Sequence, residues 1–597
     1  MQRAPPRPGP GHPARPAGPR RPAHPPTLAH LSSKRDNAEP PLSSWRQQGF
    51  SVAGWLAVSG QRRWDAIVVG GGHNGLTAGA LLARAGLATL VLERRDVVGG
   101  ACVTEEIAPG CRASTTSYIA SMLRPEVIRT LELGRHGLRM IPCEPALQVA
   151  LDGGEVLASW NDPARTMAEI ERFSKRDARA FEDVTRELRQ LSARLQPMLT
   201  ELPPDTRAGT LRGAAELVRM GRRLRGMRGT DFEGLTRLIS SSLGDYIDAR
   251  FTSPQVKALL LANNLYGKHG GPYQPGTLIG LVFHMLTGGD HDEQGFFGHV
   301  IGGMGAISEA IAAAGRGHGI EIRTSAEVAS ITVTGGRATG VALADGTELA
   351  ARVVLSGADP KRTFLDLVGK TDLPEDFRDA VAAIKMDGPC AKVNLVLDAE
   401  PAVRGMPAGA GPGQRALFTL PPSLDVADRC YDRSKRGEIA EADELFVDCV
   451  VASNVDDTLA PAGRHVMTCF VQYVPYRLAE GDWDQRSGEL GDKVIARIGE
   501  FAPNVPGAVV ARQVLTPLDL ERTYGLTEGN IFHGDIRFDQ LFHMRPVPGW
   551  ARYATPVDGL YLCGAGAHPG GGVTGAPGYN AARQVLAGLR RRRRSTR

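Results

Sequence analysis

Nothing in the 597-residue chain approaches the roughly 20 consecutive apolar residues needed to cross a bilayer. The longest apolar run, Leu278–Leu286, is far shorter, so no membrane-spanning segment is expected. Patterned cysteines are also missing: Cys102, Cys111, Cys143, Cys390, Cys430, Cys449, Cys469 and Cys563 form no CxxC or CxxxxC pair. That spacing excludes a disulfide framework and a zinc site, no metal is expected, and the thiols read as reduced, buried residues of a cytoplasmic protein. A broad basic surface is lacking as well. The net charge of +5 is made of +8 in residues 1–63 and +6 in Arg590–Arg594 with Arg597, which leaves −9 on the body between them. An acidic body argues against a nucleic-acid partner, whose phosphates demand clustered Lys and Arg.

What is present begins with proline. Residues 1–42 hold twelve prolines, which fix φ and remove backbone donors, so residues 1–63 are expected to be a disordered Pro/Arg-rich extension. The same prolines forbid the amphipathic helix that a mitochondrial transit peptide requires. From Trp64 the pattern becomes a βαβ unit: a strand Asp65–Val69, a turn Gly70–Gly75, a small-residue helix Leu76–Ala85 and a second strand Thr89–Glu93. Between 160 and 290 the apolar period turns helical, with Phe181, Val184, Leu188, Leu191 and Leu195 at three- and four-residue steps. A meander follows, Glu327–Thr334, Ala338–Ala344 and Arg352–Leu355, with turns at Gly335-Gly336 and Asp345-Gly346. Later strands are expected at Ala391–Leu397, Glu444–Val451 and Gly559–Cys563, before a final helix from Ala576 to Leu589.

Gly70-Gly-Gly72-His73-Asn74-Gly75 satisfies GxGxxG in the one setting that gives it meaning, directly after a strand and opening a helix. Gly70 permits the turn, Gly72 lets a pyrophosphate approach backbone N–H groups at the positive helix end, and Gly75 lets helix lie close on strand. Glu93 ends the second strand 18 residues after Gly75, where a carboxylate accepts ribose hydroxyls, and Arg94 follows it. This is a dinucleotide site. The next segment, Gly99-Gly100-Ala101, resembles the second glycine pair of glutathione-reductase-like and amine-oxidase-like flavoproteins, which selects FAD as the cofactor over NAD. At the other end, the strand Gly559–Cys563 runs into Gly564-Ala565, then Gly572-Val573 and Gly575, and a helix with Pro577 in its first turn. Such a helix end suits the negative charge of a reduced flavin, with a flexible glycine loop as the alternative reading.

Residues 64–589 resemble the phytoene desaturase-like family of FAD-dependent oxidoreductases. The carrying stretches are Val68–Leu76, Ile301-Gly-Gly-Met-Gly305, Gly529–Asp535 with Asp539-Gln-Leu541 and Arg545-Pro546, and the Gly564–Asn580 block. The resemblance implies an α/β fold: a Rossmann-like FAD-binding domain of glutathione-reductase/amine-oxidase type, assembled from separate segments, with an inserted α+β substrate domain. The expected segments are FAD-binding at 64–159, 296–365 and 529–589, substrate-binding at 160–295 and 366–528, and a basic tail at 590–597. It implies adenine contact at Val328, a lipophilic small-molecule substrate, and an electron acceptor such as oxygen or a quinone. Peripheral membrane contact through the arginine tail stands beside a solvated tail, and a mitochondrial matrix location stands beside the cytoplasmic one. Disulfide exchange in related flavoproteins needs two cysteines with four residues between them, and Cys102 and Cys111 do not meet that. No second GxGxxG lies between a strand and a helix, so no separate NAD(P) domain is expected. His568, His533 and Asp535 are the candidate catalytic residues, although flavin dehydrogenation needs no acid–base side chain in principle. A carotenoid-type isomerase and a flavin-bound regulatory protein are the alternative functions.

Overall fold

The computed structural model describes residues 63–205, 229–262, 264–281, 283 and 297–595, with three isolated positions between 206 and 228. The extension expected over 1–63 therefore lies outside the described residues except for Arg63, as do residues 284–296 of the helical insertion.

Two sheets organise the chain. β1 (Trp64–Val69) and β2 (Thr89–Leu92) are buried throughout save Asp65 and flank α1 (His73–Arg84), as β-branched and leucine-rich runs covered on both faces require. They pair in parallel, Ala66 opposite Thr89 and Val69 opposite Leu92. After three short strands in small two-stranded sheets, β3 (Leu147–Ala150) and β4 (Val156–Ser159) form a hairpin that belongs to the other sheet, because Val149 pairs with Thr419. The first cofactor segment expected over 64–159 thus ends before this hairpin. Both strands of the hairpin are buried at every position, and the sequence reading does not separate them from the cofactor segment.

The helical insertion opens with α2 (Pro163–Glu171) and α3 (Lys175–Leu195). Ser174 caps α3 by accepting a hydrogen bond from Asp177 N at 3.1 Å, and Val184, Leu188, Leu191 and Leu195 face the core as their spacing predicts. The chain then returns through α4 (Gly305–Gly317) and β5 (Glu321–Arg323) to β2, before the meander β6 (Val328–Thr334), β7 (Arg337–Leu343) and β8 (Glu348–Ser356). Its first turn uses Gly335 and Gly336 at φ +58° and +74°, the left-handed values that a two-residue hairpin requires.

β8 does two things. Its first half pairs antiparallel with β7, and its second half pairs parallel with β1, from Trp64 opposite Ala351 to Val69 opposite Ser356. The second sheet is built from β9 (Cys390–Leu397), β10 (Leu417–Leu420), β11 (Phe446–Val451), β12 (His465–Gln472) and β13 (Val509–Leu515), in the order β13-β9-β12-β11-β10-β3-β4. The chain ends with β14 (Leu560–Leu562), which joins the free side of β8 in parallel, and α5 (Ala576–Ser595). The first sheet therefore reads β6-β7-β8-β1-β2-β5 with β14 on β8, and β8 ties the two ends of the folded body together. α5 continues through the arginines expected as a tail. Arginine is a good helix former, no Gly or Pro follows Gly588, and cations suit a helix C-terminus. No helix among the described residues is long and apolar enough to cross a membrane.

α5 crosses α1 through glycine: a Cβ on Gly578 would lie 2.0 Å from the Asn74 carbonyl oxygen. The substitution Gly578→Ala should therefore destabilise the fold by about 1–3 kcal/mol despite alanine's better helix propensity. Gly588→Ala, on the same helix and with 3.5 Å to its nearest neighbour, should leave thermal unfolding unchanged or raise its midpoint. Equal midpoints for the two variants would remove the helix crossing from the account.

Candidate active site

The site begins where β1 stops. Gly70 takes φ +94° to turn the chain, and a Cβ on Gly75 would sit 2.2 Å from the Gly70 oxygen, so both positions demand glycine. Gly72 is the N-cap of α1 and offers no side-chain cap, which leaves first-turn N–H groups for a ligand. Glu93 Oε2 accepts from Gly71 N at 2.7 Å and Oε1 from Arg95 N at 2.9 Å. A carboxylate has about four lone-pair sites, so acceptor capacity remains. The second glycine pair is fastened to the first turn: Gly99 N donates to Gly71 O at 2.9 Å, and Gly72 bridges Gly99.

The C-terminal loop closes on the same place. His73 Nε2–H donates to the Gly572 carbonyl at 3.2 Å, joining residues 499 positions apart, and burial lowers this imidazole from the ordinary 6.5 to about 4, so it stays neutral. Arg545, 2% exposed, holds the loop from behind. Its guanidinium donates to Ala565 O and Gln540 O, each at 3.1 Å, to Gly534 O at 3.2 Å and to Phe532 O. Five donors in a rigid fork suit four carbonyls from three turns of chain.

These walls enclose one cavity of about 480 Å³. Gly70, Gly72, His73, Asn74, Gly75, Glu93, Arg94, Gly99, Gly100, Ala101, Val328, Ala565, Gly572 and Val573 all line it. Gly564 and Gly575 stand behind the wall, where a Cβ on Gly564 would meet Gly357 O at 2.2 Å and one on Gly575 would press on Val127 at 3.1 Å. Of the three catalytic candidates only His533 lines the cavity. His568 turns away, its Nε2–H donating to Met198 O at 2.9 Å, and Asp535 accepts from His269 N at 3.3 Å outside the cavity wall. Both thus tie loops together away from the cavity lining, each keeping one buried atom, His568 Nδ1 and Asp535 Oδ2, without a hydrogen-bond partner.

Sequence reasoning missed the opposite wall, which the second sheet and the loops beside it supply: Tyr118, Ile119, Met122, Tyr266, Lys392 and Phe470. Lys392 was the legible signal, a charged residue in a strand whose eight positions are all buried. Burial lowers its amine to about 7. Five buried side-chain atoms with no hydrogen-bond partner belong to residues lining this cavity: Asn74 Oδ1, Arg95 Nη1, Arg362 Nε, Lys392 Nζ and His533 Nδ1. Buried polar groups are normally satisfied, so this set fits a polar, phosphate- and carbonyl-bearing ligand such as FAD.

Over residues 75–586 the chain matches the family described as flavin containing amine oxidoreductase. The chain belongs to that family. It is 38% identical over 575 residues to pyridine nucleotide-disulfide oxidoreductase domain-containing protein 2 of Mus musculus, covering 92% of this chain and 97% of the mouse protein. It is 27% identical over 533 residues to phytoene desaturase (neurosporene-forming) of Rhodobacter capsulatus, covering 85% and 91% of the two. A solved putrescine oxidase with putrescine bound shares the fold, with a TM-score of 0.55 at 15% identity, over 88% of this chain and 99% of that one. The protein is an FAD-dependent oxidoreductase of phytoene desaturase-like type, with the Rossmann-like, amine-oxidase-type fold expected from its sequence.

Replacing Arg545 by Met leaves four buried carbonyls without a donor, so this flavoenzyme should lose at least ~3 kcal/mol and most of its yellow colour on purification. Normal flavin content in that variant would contradict the role given to Arg545. Acid should act through His73 and His568, both lowered to about 4 by burial. Unfolded histidine binds its proton first, so stability is full above about 6.5 and falls as pH drops towards 4, by up to about 3 kcal/mol per histidine. Thermal midpoints between pH 7 and 4.5 measure this, and His73→Gln should flatten the fall.

Proposed function

We propose that this flavoenzyme is a dehydrogenase or desaturase that takes hydride from a C–H or C–N bond of an apolar or amphipathic small molecule. The observation that carries the reading is the single cavity, lined on one side by the glycine turns and Glu93 and on the other by Tyr118, Ile119, Met122, Tyr266 and Phe470. The Gly70–Gly75 turn, with the N-terminus of α1, would hold the pyrophosphate. Glu93 and Arg94 would hold the adenosine ribose, Val328 the adenine, and Gly99, Gly100, Ala101, Ala565, Gly572 and Val573 the flavin half. Bound FAD supplies a two-electron acceptor at N5.

The chain's own residues then orient and exclude. Apolar and aromatic walls remove water from a donor carbon and hold it by shape, which suits a substrate with few polar handles. His533 is kept neutral by burial, and its Nδ1, free of protein partners, is available as a proton or hydrogen-bond acceptor at the wall. Disulfide exchange is not part of this reading. Cys102 is buried, its thiol donates to Met304 O at 3.1 Å, and burial raises it to about 11. The name of the Rhodobacter relative, a desaturase, supports removal of hydrogen from carbon. Oxygen or a quinone is the proposed final acceptor.

Anaerobic mixing of the yellow protein with isoprenoids, acyl chains and amines tests the proposal. One class should bleach the flavin within the mixing experiment, with one unsaturation gained per flavin reduced. Isomerised product with no net oxidation would favour the isomerase instead, and colour untouched by every class would contradict the proposal.

A further inference from the structure

β11 reads Phe-Val-Asp-Cys-Val-Val and is buried at all six positions, so Asp448 is a carboxylate in an otherwise apolar strand. It stands opposite Phe470 on β12 and Thr419 on β10, is 2% exposed, and does not line the cavity that Phe470 lines. A buried carboxylate is costly unless donors satisfy it. Here Oδ1 accepts from Thr419 Oγ1 at 2.7 Å and Oδ2 from the Tyr118 hydroxyl at 2.6 Å, and Tyr266 is hydrogen-bonded to the same carboxylate. Thr419 belongs to the sheet. The two tyrosines do not: Tyr118 follows the second glycine pair in the chain, and Tyr266 comes from the helical insertion.

Both tyrosines line the cavity, and both rings lean on Phe470. Tyr118 stacks on it with centroids 6.0 Å apart and planes 21° apart, and Tyr266 meets it at 5.8 Å and 58°. Interacting aromatic pairs have such separations, so the three rings form one continuous panel. Tyr118 is also tied at its backbone end, where Ala101 O accepts from Thr116 Oγ1 at 2.5 Å, Ser117 Oγ at 2.8 Å and Ser117 N at 3.1 Å. Its backbone is thereby fixed to the segment that suits the flavin half, and its hydroxyl to the second sheet. With both hydroxyls engaged at Asp448, the panel offers an apolar ligand ring surface.

We propose that Asp448 is a positioning residue for the substrate wall: by holding the hydroxyls of Tyr118 and Tyr266 it sets the panel with Phe470 in place before substrate arrives. This rests on the reading that the cavity accepts an apolar or amphipathic substrate, and it names what prepares the wall for one. Without the carboxylate each hydroxyl must find another acceptor, and the cavity is the open space beside it. Two O–H groups would then face an apolar ligand, and two rings would have to be ordered as it binds, which lowers affinity.

The test titrates the holoenzyme with geraniol under argon, reading the perturbation of the flavin absorbance. Asp448→Leu should weaken binding about tenfold, through the ordering of two side chains. Asp448→Asn keeps an acceptor oxygen for one hydroxyl and an N–H for the oxygen of the other, so it should stay within about threefold of the unaltered protein. Tyr118→Phe keeps the ring and loses only the tether; it should weaken binding about threefold, and cause no further loss in the Asp448→Leu background. Combining Asp448→Leu with Tyr118→Phe and Tyr266→Phe removes the buried hydroxyls along with their acceptor, so the thermal midpoint should recover while affinity stays low. Affinity that recovers with the midpoint would make the carboxylate purely structural and overturn the proposal, as would unchanged affinity in Asp448→Leu. Should Asp448→Leu fail to hold flavin, Tyr118→Phe and the triple variant still decide, and full affinity in both overturns it. Equal binding of geraniol by every variant removes this role and leaves the cavity reading standing. An unaltered holoenzyme that binds neither geraniol, decanoate nor benzylamine removes both.

Discussion

Around the cavity, backbone meets backbone at places where no side chain fits. A Cβ on Gly75 would lie 2.2 Å from Gly70 O, one on Gly564 would lie 2.2 Å from Gly357 O, and one on Gly578 would lie 2.0 Å from Asn74 O. Each contact lets a helix or strand end come closer than ordinary side chains permit, and the last two join segments hundreds of residues apart in the chain. An elongated dinucleotide needs contacts from widely separated parts of a protein, and these close approaches are what bring them within reach of one ligand. β8 makes the arrangement rigid, since its second half pairs in parallel with β1 on one side and β14 on the other. The rest of the architecture hangs from that three-strand core.

Most of the cofactor side was legible because it is written in local rules. Glycine at φ > 0, a strand running into a helix, and an acid at the end of the next strand each constrain a few consecutive residues, and each is found where the residue types predict. The meander was legible for the same reason. Other features depend on contacts that no local pattern encodes. The hairpin Leu147–Ser159 is not read as strand from the sequence at all, and the pairing of Val149 with Thr419 is what places it in the second sheet. His568 and Asp535 sit in the loop-rich segments that resemble the family, yet their hydrogen bonds to Met198 and His269 come from the helical insertion. The helix Ala576–Ser595 outruns its expected end because an arginine run is a permissive helical sequence as well as a tail.

The two walls of the cavity divide its chemistry. One is backbone: glycine N–H groups, an uncapped helix end and carbonyls clamped by Arg545. The other is side chain: aromatic rings with a single buried lysine among them. Backbone recognition suits a fixed cofactor whose shape does not vary, whereas side chains on a sheet face can be exchanged without disturbing the ladder beneath them. The chain shares its fold with a putrescine oxidase at 15% identity, and a fold can be kept while the side chains of a site vary.

The central claim is that one dinucleotide touches both ends of the folded body at once. Hydrogen–deuterium exchange, measured on the flavin-free protein before and after adding FAD, addresses it directly. Residues 70–76, 93–101 and 565–575 should gain protection together and with the same dependence on FAD concentration. Protection confined to the first two segments, with the 565–575 loop exchanging as before, would contradict the account.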